Sequence, residues 1–326
     1  MLMAAAAALF LSIALTGMVR NSAIAHGVLD VPNARSSHAR TTPRGGGLAI
    51  VIATMLTLTV LAVVGLLGLK LWAALTGGGL AIAFIGSLDD LRPVSAALRL
   101  SVHFAAGLWA IAWLGGLPGL GHFGELLALL GIVWVLNLFN FMDGIDGLAA
   151  SEAVFIALGA IAPMLLCGAG AEVVAASLVL GGATLGFLVW NWPPARIFMG
   201  DVGSGYLGYV IAVLALASAA SSPSAVWVWL ILGAVFFVDA TVTLLRRVAR
   251  GASPHEPHRT HAYQWLARRW RSHAKVTIAV GLVNVLWLLP CAILAAVRPA
   301  RLAWMLALAL TPLVALAVAA GAGRVE

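Results

Sequence analysis

The chain is dominated by uninterrupted apolar stretches, near residues 3–19, 47–68, 72–88, 98–115, 124–140, 147–166, 173–190, 205–219, 226–244, 276–296 and 303–320. Each approaches the ~20 residues a helix needs to cross the hydrocarbon core of a bilayer. The runs are continuous and rich in Ala and Leu, without the alternation that membrane strands require. An all-α, polytopic integral membrane bundle of about eleven transmembrane helices is expected at this spacing. With 62% apolar and 10% charged residues over 326 positions, the chain reads as one membrane-embedded domain with no room for a soluble one.

Met1–Leu15 is apolar with no basic residue ahead of it, and Arg20 follows it, the reverse of a signal peptide. This predicts a first span with its N-terminus outside and, with eleven spans, a cytoplasmic C-terminus. The polar loops near 20–46, 89–97, 141–146, 191–204 and 245–275 then share the inner side. That side collects every basic residue except Lys70, Arg298 and Arg301, a strong positive-inside pattern. The net charge of +7 is thereby read as topology beside anionic lipid rather than as a nucleic-acid footprint. Cys167 and Cys291 form neither a metal motif nor a disulfide framework.

The acids are more informative. Asp30, Asp89, Asp90, Asp143, Asp146, Asp201 and Glu256 all fall at inner span ends or inner loops, and Asp239 lies within a span. Carboxylates gathered at one face of a bundle predict a polar, metal-dependent site at the inner membrane surface. Five segments carry it. Asp30-Val-Pro-Asn-Ala-Arg35-Ser-Ser-His38 leads into Thr42-Pro-Arg44-Gly-Gly-Gly. Asp89-Asp90 closes the third span, where adjacent carboxylates suit a cation or a general base. Asn137, Asn140 and Asp143 follow at spacing three, with Gly144, Asp146 and Gly147 behind them, offering hard oxygen ligands to Mg²⁺. Phe198-Met-Gly-Asp201-Val-Gly-Ser-Gly-Tyr-Leu-Gly contains G-x-G-x-x-G without the βαβ context of a dinucleotide fold; its helix N-terminus suits phosphate. Pro254-His-Glu-Pro-His258-Arg259-Thr-His261 suits anionic phosphate better than zinc, and an interfacial helix with Trp265, Trp270 and three arginines follows.

In this order, from about residue 26 to 265, the segments resemble the polyprenyl-phosphate N-acetylhexosamine-1-phosphate transferase family, glycosyltransferase family 4. The resemblance implies transfer of a sugar 1-phosphate from a UDP-N-acetyl-sugar to undecaprenyl phosphate in the bacterial inner membrane. UMP is released, and Mg²⁺ (or Mn²⁺) is the implied cofactor. By position, Asp89 and Asp90 resemble the aspartate pair that engages the lipid phosphate, and Asp201 a further catalytic acid. Asn140 and Asp201 match metal positions, and Asn137, Asp143 and Asp146 match positions around the nucleotide. His258, Arg259 and His261 match the histidine-rich loop, and Arg35 and His38 a ligand-contacting loop. Asp239 matches an acidic position of the ninth span. The ending His261-Ala262-Tyr263-Gln264, in place of H-x-H-H, is similar to the branch that initiates O-antigen and lipopolysaccharide synthesis. The donor sugar stays open among N-acetylglucosamine, N-acetylfucosamine and N-acetylquinovosamine, and a homodimer is compatible with all of this.

One-step attack by the lipid phosphate is favoured over an aspartyl-phosphate intermediate, because metal and positioning suffice for phosphoryl transfer. The rival reading is a secondary transporter, whose site is expected near the midplane with polar access from both sides.

Overall fold

A computed structural model describes residues 1–32, 40–252 and 258–324. In chain order the helices begin with α1 (Leu2–Ala25), α2 (Gly47–Val63), α3 (Leu69–Leu91), α4 (Ala96–Leu114) and α5 (Gly121–Met142). They continue with α6 (Leu148–Gly159), α7 (Ile161–Leu166), α8 (Ala171–Asn191), α9 (Asp201–Ala219), α10 (Ala225–Leu232) and α11 (Ala234–Val248). Last come α12 (Ala262–Trp270), α13 (His273–Val283), α14 (Leu289–Val297) and α15 (Leu302–Ala320). A π-helical stretch, Asn284–Leu288, joins α13 to α14. Two short strands, β1 (Leu29–Asp30) and β2 (Thr42–Pro43), pair antiparallel ahead of α2.

The chain is a multi-pass helical membrane protein. Among the described residues, nine helical segments are long and apolar enough to cross a bilayer, and α10–α11, bent by 74°, makes a tenth. The eleventh apolar run is helical over only 17 residues, because α2 ends at Val63 and the chain turns through Gly65 at φ 76°. The predicted span at 47–68 is therefore a shorter helix, at the low end of the ~17–25 residues that can cross a bilayer.

Small residues set the packing, as expected where lipid is as apolar as Leu and close backbone approach supplies the attraction. Gly182 and Gly186 of α8 lie against the Ala5 and Leu9 carbonyls of α1, with no room for a Cβ at either position. The central helix is α9, most of it buried. Its Tyr206 and Tyr209 fit over Gly79 and Gly78 of α3, and Tyr209 Oη donates to the Ala74 carbonyl at 2.7 Å.

The same helix meets α2 where Gly203 touches Gly47, so closely that a Cβ on Gly47 would overlap the Gly203 backbone. Backbone bonds fix the approach: Gly46 N and Gly47 N donate to Phe198 O and Met199 O at 2.9 and 2.8 Å, and Phe198 N donates to Pro43 O at 2.8 Å. The ends of α3 and α5 and the starts of α2, α6, α9 and α12 thus converge at one end of the bundle. That is where the polar segments meet.

Candidate active site

Helix α3 continues through the aspartate pair to Leu91, so Asp89 and Asp90 sit one residue apart on its last turn and face different partners. Asp90 accepts from Asp201 N at 2.9 Å and from Val202 N at 3.2 Å, capping α9 from a neighbouring helix. A helix start leaves such amides without intrahelical partners, and a carboxylate there also answers the helix dipole. Gly200, at φ 78°, is what admits it: a Cβ there would strike the Asp90 carboxylate. Asp89 instead accepts from Val94 N at 2.7 Å, holding the bend into α4.

Two arginines tie three aspartates together. Arg44 Nε lies 2.7 Å from Asp90 Oδ1, and its Nη2 lies 2.8 Å from Asp201 Oδ1. Arg99 Nη1 lies 2.6 Å from Asp89 Oδ2 and 3.1 Å from Asp201 Oδ2. The Asp90 side chain is only 4% exposed, whereas that of Asp201 is 20% exposed and lines a cavity. In the sequence Arg44 stands in one of the five polar segments without being singled out, and Arg99 reads only as one inner-face charge. The available signals were an arginine leading three glycines into α2 and a second arginine one helical turn into α4.

Two cavities meet around these groups, and a third adjoins the first. A polar one of about 230 Å³ is lined by Asp30, Arg44, Asn140, Asp143, Asp146 and Asp201, among others. A larger one of about 890 Å³ has mostly apolar walls from α3, α4 and α5, with Arg99, His103, Asn137, His258 and His261 among its polar lining. Asn140, Gly144, Asp201 and Gln264 line both. A third, of about 620 Å³, is lined by Arg259, Arg268, Arg271 and His273, and shares Asp146 and His273 with the first.

The Asn/Asp stripe is consequently divided. Asn137 donates to Val133 O at 2.7 Å and faces His103 in the apolar cavity, away from Asp143 and Asp146, with which the resemblance groups it. Asn140 donates to Ser204 Oγ at 3.3 Å on the shared wall. Asp143 ends α5 and has its pKa held well above the usual carboxylate range by burial, with Asp201 adding to the effect and Arg44 opposing it. Asp146 accepts from Ala195 N at 3.1 Å and lies 3.2 Å from His273 Nδ1, tying the 191–204 loop to α13. Asn191, not picked out from the sequence, links Gly147 N (3.0 Å) to Ile197 O (3.0 Å) across the same loop.

The histidine segment is divided as well. His258 and His261 stack at 5.0 Å on the wall of the apolar cavity, while Arg259 faces the third cavity. Burial, then the charges of His261 and Arg247, push the His258 imidazole down to about 4, so it is neutral at pH 7. Asp239 anchors the segment from α11: Ala262 N and Tyr263 N donate to its two oxygens at 2.8 and 3.0 Å. Tyr263 Oη donates to Phe141 O at 3.0 Å, clasping α12 to α5. Arg35 and His38, and the 253–257 part of the histidine segment, lie outside the described residues.

The donor set around the polar cavity fits a hard cation. Asn140, Asp143 and Asp201 offer oxygen ligands around it. Among the described residues no three His, Cys, Asp or Glu side chains form a ready cage. Mg²⁺ shared between one or two carboxylates and substrate phosphates needs none.

The glycosyl transferase family 4 profile matches residues 72–219, the stretch holding the aspartate pair, the Asn/Asp stripe and Asp201. A probable undecaprenyl-phosphate N-acetylglucosaminyl 1-phosphate transferase of Bacillus subtilis is 32% identical over 292 residues, covering 84% of this chain and 79% of that protein. Decaprenyl-phosphate N-acetylglucosaminephosphotransferase of Mycolicibacterium smegmatis is 29% identical over 308 residues, 82% of this chain and 75% of its own. Phospho-N-acetylmuramoyl-pentapeptide-transferase of Moorella thermoacetica is 33% identical over 243 residues, 68% of this chain and 73% of its own. The chain belongs to the polyprenyl-phosphate N-acetylhexosamine-1-phosphate transferase family, glycosyl transferase family 4, and is a membrane-embedded phosphotransferase.

Proposed function

We propose that the protein transfers an N-acetylhexosamine 1-phosphate from a UDP-sugar to undecaprenyl phosphate, releasing UMP. The observation that carries this is the seam at Asn140 and Asp201 between a polar cavity and an apolar one. A reaction joining a nucleotide to a lipid needs such a pair, with the reacting phosphates at the junction. The apolar cavity takes the acceptor's first isoprenoid units, and its phosphate reaches Arg99. The polar cavity takes the diphosphate.

A phosphate monoester with a second pKa near ~6 is largely a dianion at neutral pH, so no strong base is required. Its oxygen attacks the sugar-bearing phosphorus, the bond from that phosphorus to the bridging oxygen breaks, and UMP leaves with the electron pair. Arg44 and Arg99 bind phosphate oxygens by exchanging them for the carboxylates they now hold. Asp89 positions the acceptor and takes any residual proton, and Asp90 holds α9 in place. Asn140 and Asp201 would hold Mg²⁺, with Asp143 beside them, and the bound ion supplies charge neutralisation at the diphosphate.

We place the site on the cytoplasmic side of the bacterial inner membrane, with α2 counted as the eleventh span and the N-terminus outside. The positive-inside pattern supports that orientation. An O-antigen-initiating role rests on the likeness of the His261-Ala262-Tyr263-Gln264 ending to that branch. A transporter would need access from both membrane faces, whereas these groups gather at one end of the bundle.

The test incubates purified protein with undecaprenyl phosphate, Mg²⁺ and a panel of UDP-N-acetyl sugars, and measures UMP. Acceptor-dependent UMP from one donor is expected; none from any donor would overturn the proposal.

A further inference from the structure

The residues that follow α15 turn back onto the histidine segment. Gly323 N donates to the Thr260 carbonyl at 2.8 Å. From α11 and the turn after it, Arg246 Nη1 and Arg250 Nη1 donate to the Ala322 and Gly323 carbonyls, each at 2.5 Å. Ala322 is fully buried, and Trp265 of α12 packs against Gly321. Gly321 and Gly323 have φ of 105° and 68°, a region glycine adopts without strain. A Cβ on Gly323 would also come within 2.8 Å of Arg246 Cβ and 3.0 Å of Thr243 O. This turn is therefore built to a specific shape.

What it grips is Thr260, one of the two residues between the stacked histidines. Thr260 is buried, and its Oγ1 lies 3.0 Å from His258 Nδ1. His261 is the next residue, just ahead of the α12 start that Asp239 anchors. The 258–260 stretch has no regular secondary structure, so its placement rests on such individual bonds.

We infer that the Gly321–Arg324 turn is a positioning strap: by holding the Thr260 carbonyl it fixes His258 and His261 on the wall of the acceptor cavity. The strap touches no substrate and acts through those side chains. Its effect on turnover rests on the reading of that cavity as the acceptor site. Displacement of a positioning group by about 1 Å costs on the order of 100-fold in rate.

The test uses the full chain in detergent, as Gly323→Val and as the pair Arg246→Ala with Arg250→Ala, with Arg246→Lys as the conservative variant. Two readouts are taken: amide hydrogen exchange of peptides over 258–264, and UMP release at varied undecaprenyl phosphate. Expected are faster exchange confined to 258–264, and kcat/KM for the acceptor lowered by about 10-fold or more, on the scale of such misplacements. Arg246→Lys recovers most of it. Unchanged exchange, or faster exchange with unchanged kinetics, would overturn the inference. If Gly323→Val does not fold, Arg250→Ala alone decides by the same readouts. If the wild-type chain forms no UMP with any donor, the proposed function fails, and exchange at 258–264 still decides whether the strap holds the segment.

Discussion

Arg99 reaches Asp201 across the bundle, its Nη1 lying 3.1 Å from Asp201 Oδ2, and so joins the first turns of α4 and α9 at the mouth of the apolar cavity. The same nitrogen is 2.6 Å from Asp89. On the proposed function, this guanidinium shared between two carboxylates is the cation that an incoming phosphate meets. Arg99→Ala is expected to raise KM for undecaprenyl phosphate by about 10- to 100-fold, the ~1.5–3 kcal/mol of a charged hydrogen bond. Arg99→Lys should fall between, because an ammonium keeps the charge without the planar fork. Initial rates at varied acceptor check both. Equal KM in all three proteins would remove Arg99 from the acceptor site.

The adjacent aspartates should behave differently. Asp90 is the buried cap of α9 and a partner of Arg44, so Asp90→Ala is expected to lower stability by about 3 kcal/mol, as when one partner of a buried ion pair is removed. Asp89→Ala should reduce kcat with a smaller stability loss. Thermal unfolding in detergent alongside kinetics separates the two, and an equal loss of stability in both variants would contradict the division of roles.

His258 supplies a pH dependence whose sign is fixed. Its pKa falls from 6.5 to about 4 in the folded chain, so the folded state disfavours the charged ring. The unfolded chain therefore binds more protons between those values, and stability falls as pH drops from 6.5 toward 4. His258→Gln is expected to flatten that part of the stability curve. Melting temperatures across the window, compared with wild type, show whether it does; parallel curves would mean the ring titrates normally.

The contact of Gly47 with Gly203 predicts a packing defect. Gly47→Val places a side chain into the α9 backbone, and a loss of at least ~1–3 kcal/mol is expected. Because Met199 O and Phe198 O are bonded through the same turn, activity should fall with it. A variant that melts with the wild type would show that α2 can withdraw without cost.

Helix identity was legible because hydropathy acts over whole spans, and the gathering of polar segments at one end was legible because scarce polar residues in an apolar chain must gather somewhere. Three-dimensional pairing was less accessible. Spacing by three suggests one face for Asn137, Asn140 and Asp143, yet α5 ends at Met142 and the stripe drifts round the axis, so Asn137 turns to His103 in a different cavity. Asp90 looks equivalent to its neighbour in sequence, and only the packing of α3 against the start of α9 makes it a cap. Arg44 and Arg99 were hidden for a related reason. Inner-face arginines are expected for topology alone, and their function depends on which carboxylates the fold brings to them.

The seam at Asn140 and Asp201 is tested most directly by following the phosphate itself. Donor labelled with radiophosphorus in the sugar-side phosphate is supplied with undecaprenyl phosphate and Mg²⁺, and the lipid and aqueous phases are counted. Label is expected to enter the lipid phase in step with unlabelled UMP in the aqueous phase, and to be lost in Asp201→Ala. Label that stays in the aqueous phase, or an Asp201→Ala protein that transfers it at the wild-type rate, would contradict transfer at this seam.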